Sequence, residues 1–166
     1  MVRLKTIVIG GLLVVIGIGV LLYCFPSEEK KIKKQFRLLA GWVSKEPGEN
    51  PITMAYKIKN METLFDGMCE FEIPFYSFSG SYKPEEISGY ATHGRLSFSQ
   101  LHLKFYDLTI VFPEKGMAKV TFTANVTGKS NAGESIDEAH ELETLLRKVE
   151  KKWLFSRFEM VEVLKK

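Results

Sequence analysis

The chain has 166 residues with 23 basic and 20 acidic side chains, a formal net charge of +3, 45% hydrophobic and 12% aromatic content. That length suits one ordinary domain, or a smaller domain with an appendage, and so much apolar surface collapses, which excludes a disordered tail. Removing Arg3 and Lys5, which precede an uncharged run, from the 23 basic residues leaves 21 against 20 acidic ones, a balance that excludes a nucleic-acid binder driven by surplus cations on phosphate.

Residues 1–5 read as a short basic tail and residues 6–25 as a transmembrane helix. From Ile7 to Phe25 no side chain is charged, and as a helix the run reaches about 28 Å, close to the hydrocarbon thickness of a bilayer. A cleavable signal peptide has a shorter apolar core and small residues at its cleavage site, whereas this run ends in Tyr23, Cys24, Phe25 and Pro26. The segment is therefore expected to persist as an uncleaved signal anchor, with the lipid bilayer as its partner. Lys30, Lys31, Lys33, Lys34 and Arg37 follow the span, and by count they favour a cytoplasmic domain. A short basic tail leading straight into an apolar run is how signal anchors begin, and this favours an extracytoplasmic domain, periplasmic in a bacterium. In the cytoplasmic reading the lysine cluster rests on anionic lipid.

Residues 26–166 remain for one folded domain. Ser27 followed by Glu28 and Glu29 opens a helix whose stripe is Ile32, Phe36, Leu39 and Val43. Lys45 to Glu49 breaks it. Asn50-Pro51 then reads as cap and first helical position of a second helix, with Met54, Ile58, Met61 and Phe65 on one face up to Gly67. From Cys69 the period becomes two: Cys69, Phe71 and Ile73 alternate with Glu70, Glu72 and Pro74, and Pro74 marks an edge or a bulge. Ser77–Ser81 reads as loop. Pro84-Glu-Glu opens a third helix with Ile87, Ala91, Gly94 and Phe98 on one face.

Leu101, Leu103 and Phe105 are apolar at odd positions, and Leu108, Ile110 and Phe112 at even ones. Keeping both sets on one face requires one extra residue near Tyr106-Asp107, a β-bulge that curves the sheet. After a turn at Pro113–Gly116, Ala118 to Val126 alternates as a strand, and Gly128–Gly133 reads as a second loop. Residues 136–149 are ambiguous: Ile136, Ala139, Leu142, Leu146 and Val149 make a helical stripe, whereas a strand sets His140, Leu142, Thr144 and Leu146 on one side. Propensity alone chooses helix. Trp153–Leu164 reads as a strand apolar on both faces.

The order of helices, strand, helix and long consecutive strands resembles the nuclear transport factor 2-like superfamily, particularly its SnoaL-like members, over residues 28–164. The pieces that carry the resemblance are Tyr106-Asp-Leu-Thr-Ile-Val-Phe112, the strand Met117–Thr127 ending in Gly128, and Glu141-Leu-Glu-Thr-Leu-Leu-Arg-Lys148 leading to Trp153. It implies an α+β cone, a curved antiparallel sheet wrapped around about three helices with a pocket between them. It also implies that 136–149 is a strand.

Enzymes on this cone, isomerases and dehydratases among them, place a carboxylate or imidazole base among apolar walls. In this sequence Glu70 and Glu72 fall opposite Phe71 and Ile73, and Glu141 and Glu143 opposite Leu142, so these carboxylates point outward. Asp107 at the bulge and His140, if its segment is a strand, remain as catalytic candidates. His93 and His102 read as surface residues. No histidine pair has metal-ligand spacing, and Cys69 is the only cysteine after Cys24, so neither a metal nor another cofactor is expected. The residues therefore favour a noncatalytic domain binding a small apolar ligand, with Tyr56, Phe75, Tyr90, Phe122 and His140 at the pocket. One alternative is an interaction module joining a partner or a second copy through the outward sheet face of Thr121, Thr123, Asn125, Glu141, Glu143 and Arg147. The other is an isomerase- or dehydratase-type enzyme.

Overall fold

The structure, a computed structural model, describes residues 27–161. The chain divides into two compact units, Met1–Ile32 and Lys33–Lys166. Of the first, only the opening of one helix is described, so the anchor expected at residues 6–25 lies outside the described residues. Among those described, no helix is long and apolar enough to cross a membrane.

Among the described residues, three α-helices and six strands follow one another as α1 (Glu28–Val43), α2 (Pro51–Glu62), β1 (Phe65–Ile73), β2 (Phe78–Tyr82), α3 (Pro84–Ser97), β3 (Phe98–Glu114), β4 (Met117–Ser130), β5 (Ser135–Val149) and β6 (Lys152–Met160). The sheet order is β2-β1-β6-β5-β4-β3, antiparallel except where β1 runs parallel to β6. Helix α2 begins as its residues dictate: the Asn50 side chain accepts from the Thr53 amide at 2.8 Å, and Pro51 occupies the first turn. It ends at Glu62, so Phe65 and Gly67 belong to β1 rather than to the helix.

The bulge expected at Tyr106-Asp107 is present. Tyr106 pairs with Thr123 and Thr109 with Thr121, which leaves one extra residue on β3, and Asp107 takes a left-handed φ of 55°. A second phase change explains why β6 looked apolar on both faces. Leu146 pairs with Phe155 and Leu145 with Arg157, so Ser156 is the extra residue, and Trp153, Phe155 and Phe158 all turn to the buried side. Segment 135–149 is a strand, paired along its length with β4. Packing against neighbours on both sides outweighs its helical composition.

Three expectations are corrected. Ser77–Ser81 is mostly β2, a short hairpin partner of β1 whose Phe78 and Tyr82 rings stack at 4.9 Å. Because β2 covers that side, β1 is not an edge; Pro74 instead ends β1 and starts a 3-10 turn, Pro74–Tyr76. Gly128 lies inside β4, where a Cβ would meet the Gln100 carbonyl oxygen at 2.8 Å, so its lack of a side chain lets β3 approach.

Phe36 of α1 is 2% exposed and packs edge-on to Phe105, Phe122 and Phe155 at 5.2, 4.9 and 5.3 Å. Rings at these distances add favourable edge-to-face contacts to the burial itself. This cluster fixes α1 to the concave side of β3, β4 and β6.

Candidate functional site

Between the helices and the concave sheet face lies a cavity of about 280 Å³, close to the lower end of the roughly 300–1,000 Å³ that small-molecule sites occupy. Leu39 and Val43 of α1, Ile87 and Ala91 of α3, and Phe122 and Leu142 of the sheet are among its walls. The bulge in β3 and the alternation of β4 and β5 deliver these side chains to one face. Apart from the phenol of Tyr90, no lining side chain carries a polar atom. The walls can exclude water and match an apolar shape, but they hold no group able to accept a proton from carbon.

The five pocket candidates separate. Phe122 and Tyr90 line the cavity, and the Tyr90 ring meets Phe78 edge-on at 5.4 Å. Tyr56 is 64% exposed on α2 and Phe75 69% exposed in the 3-10 turn, and neither lines it. His140 is on the same face of β5 as Leu142 and pairs with Ala124, itself a wall residue, but does not line the cavity. Its partners come from the 3-10 turn. Tyr76 Oη lies 3.0 Å from His140 Nε2 and donates to a Glu138 carboxylate oxygen, and the Phe75 ring lies 5.2 Å from the imidazole. The single phenol hydrogen is committed to Glu138, so the bond to His140 runs from Nε2–H to the phenol oxygen. Burial, reinforced by the hydrogen bond to Glu138, pushes the Tyr76 hydroxyl up to about 12. Asp107 is exposed in the bulge.

The outward sheet face carries ion pairs and a side-chain hydrogen bond of its own. Lys119 meets Glu143 at 2.7 Å, Arg147 meets Asp66 at 3.4 Å, and Asn125 donates to Asp137 at 2.9 Å. His93 is exposed; His102 is half-buried beside Gln100 at 2.7 Å. Cys69 is buried, and burial pushes its thiol up to about 12, which leaves it unreactive.

Sequence reasoning missed a buried ionic centre below the helices. Arg95 of α3 is 1% exposed; its guanidinium donates to the carbonyls of Trp42, Val43 and Ser44 at 2.6–2.7 Å and to Glu49. Lys57 also donates to Glu49, at 2.5 Å. Burial pushes the Glu49 carboxyl upward, but hydrogen bonds from Lys57 and Arg95 prevail and hold it below its usual range. The segment Lys45–Glu49, which looked like a plain breaker, is thus a docking loop for α3. The only available signal was a lone arginine in Ile87–Ser97, a stretch of α3 with no Lys, Asp or Glu.

Three structural likenesses fit this geometry. A protein of Novosphingobium aromaticivorans assigned as an aromatic ring hydroxylase aligns with a TM-score of 0.69 at 14% identity, over 86% of this chain and 93% of its own. A hexachlorocyclohexane dehydrochlorinase, LinA type 2, aligns with a TM-score of 0.64 at 12% identity, over 81% and 84%. A Streptomyces avermitilis protein assigned as a dehydratase of the nuclear transport factor 2-like family aligns with a TM-score of 0.64 at 10% identity, over 84% and 99%. No family model and no curated protein matches the sequence. The fold is therefore the one these solved proteins share, an α+β domain with a curved sheet around three helices. At such identities the likeness speaks for the fold alone.

Proposed function

We propose that the domain is a noncatalytic binder of a small apolar ligand, held at a bilayer by residues 6–25. One observation carries the binding reading: the cavity is large enough for a small molecule, and its walls contain no carboxylate or imidazole. The uncharged run from Ile7 to Phe25 supports the tether. Native mass spectrometry of the full chain released from detergent micelles tests the binding. Retained small-molecule mass is expected for the wild type and its loss for Ala124→Phe, which fills the cavity from a wall position. Equal spectra for the two proteins refute the proposal.

A second reading, an isomerase- or dehydratase-type enzyme, is favoured by the His140–Tyr76–Glu138 cluster beside the wall residue Ala124. It requires a substrate that leaves the cavity far enough to meet the imidazole. An activity found on any candidate substrate that survives His140→Ala removes this form of it.

A further inference from the structure

Helix α1 has two unlike faces. At about 100° per residue, Phe36, Leu39 and Val43 share one side, whereas Lys33, Lys34 and Arg37 share the opposite side, and Lys30 continues that row one turn earlier. All four cations are exposed, as is Gly41 one turn beyond, where an added Cβ would meet nothing within 4 Å. No acidic residue occurs between Lys30 and Lys45. Glu28 and Glu29 in the first turn point away from the row, and Glu28 is engaged by Lys31 at 2.8 Å. Several cations elsewhere are matched to acids, Lys57 with Glu49, Lys119 with Glu143 and Arg157 with Glu72 and Glu159.

We propose that this basic face of α1 lies on an anionic bilayer surface. The proposal rests on the reading of residues 6–25 as an anchor, and it adds which surface of the domain meets the membrane and which lipid chemistry holds it. Charge complementarity and chain length both point to this occupant. Lys30 stands five positions after Phe25, so even a fully extended connection keeps it within about 18 Å of the end of the apolar run. From that point α1 can lie down so that all four cations come within a Debye length, about 8–10 Å, of the surface, where anionic lipid attracts each Lys or Arg. With α1 lying flat, the sheet and the cavity are carried on the side away from the lipid headgroups.

The test uses the full chain reconstituted in vesicles of phosphatidylcholine alone and of an equimolar phosphatidylcholine–phosphatidylglycerol mixture. A water-soluble acylating reagent modifies exposed amines, and mass spectrometry reads Lys33 and Lys34 against Lys104 and Lys115, which are exposed on β3 and its turn. On anionic vesicles the modification of Lys33 and Lys34 is expected to fall about fivefold and to recover in about 1 M salt, where the Debye length shrinks to roughly 3 Å. Unchanged rates on anionic vesicles overturn the proposal. So does protection of Lys33 that persists in Lys34→Glu/Arg37→Glu, because charge would then not be its cause. Flotation with phosphatidylcholine vesicles in high salt tests the anchor separately. A chain that fails to float there refutes the anchor, while salt-reversible protection on the anionic vesicles still decides the docking.

Discussion

Arg95 and Glu49 are joined across the boundary between α3 and the α1–α2 loop, both almost wholly buried, the arginine 1% and the carboxylate 4% exposed at their side chains. The same guanidinium takes three carbonyls at the end of α1, groups that a helix terminus leaves without partners. One side chain therefore ties two helices and their connection into a unit. Replacing it with methionine leaves the buried carboxylate to Lys57 alone and takes the guanidinium from three carbonyls, and Arg95→Met is expected to cost about 3–5 kcal/mol in a denaturant melt.

The pH dependence of that unit has a definite sign. Glu49 titrates lower in the folded chain than its ordinary value of 4.5, so its contribution is present above that value and is lost as pH falls through the depressed one. Stability measured from neutral to strongly acidic pH should decline more steeply for the wild type than for Glu49→Gln in that acid window. Parallel curves would show that the fold does not hold this carboxyl below its ordinary value.

At the other end of the scale, Tyr76 should remain a phenol above its ordinary value. Its hydroxyl titrates near 12 in the folded chain against an ordinary 10, so unfolded chains release this proton first and stability contributed by the bond declines as pH rises from about 10 toward 12. Ultraviolet titration of the wild type minus Tyr76→Phe should place the phenol near that value. In Glu138→Gln it should move down without reaching the ordinary value, since burial remains.

Phe36 is the shared neighbour of rings from three strands. Truncation to alanine removes those contacts and opens a void that the surrounding rings cannot fully close, at an expected cost of about 3–5 kcal/mol. Thermal or chemical unfolding of Phe36→Ala measures it, and a cost below that of a surface substitution would mean that the ring cluster does not hold α1.

Two backbone positions predict opposite tolerances. Asp107, at a φ of 55°, should accept glycine without loss but lose about 1–2 kcal/mol on replacement by valine, whose Cβ resists that conformation. At Gly128 the obstacle is a neighbouring carbonyl at 2.8 Å, and Gly128→Ala should destabilise by about 1–3 kcal/mol through the shift it forces between β3 and β4. Unfolding midpoints of the three variants check both.

How far the sequence foretold the structure depended on whether one local pattern decided the outcome. The β3 bulge was legible because apolar parity switches between Phe105 and Leu108, and side chains alternate strictly along a strand. The cap at Asn50-Pro51 was legible for a similar reason. Segment 136–149 was not, since its composition favours a helix and only the resemblance pointed to strand; its state is set by pairing with β4 and β6 on either side, which no pattern within the segment reports. Strand β2 was hidden by its Ser and Gly, which read as loop until Phe78 and Tyr82 are seen packing on Phe71. At the site, the apolar walls followed from alternation. Tyr56 and Phe75 did not, because an exposed aromatic and a buried one look alike along a chain. The Arg95–Glu49 pairing spans 46 positions and no periodicity reports it.

The hydrocarbon character of the cavity walls sets a ceiling on discrimination. A pocket that holds its guest by contact alone separates two homologous guests differing by one methylene by about 1–3 kcal/mol, whereas rejection by a factor of about ten thousand or more needs a buried donor or acceptor that the wrong guest leaves unpaired. On the proposed reading, a guest between Phe122 and Ile87 is sorted mainly by girth and greasiness, with the Tyr90 hydroxyl the one lining group able to read a polar atom, and a mixture of related molecules is expected to come with the purified protein.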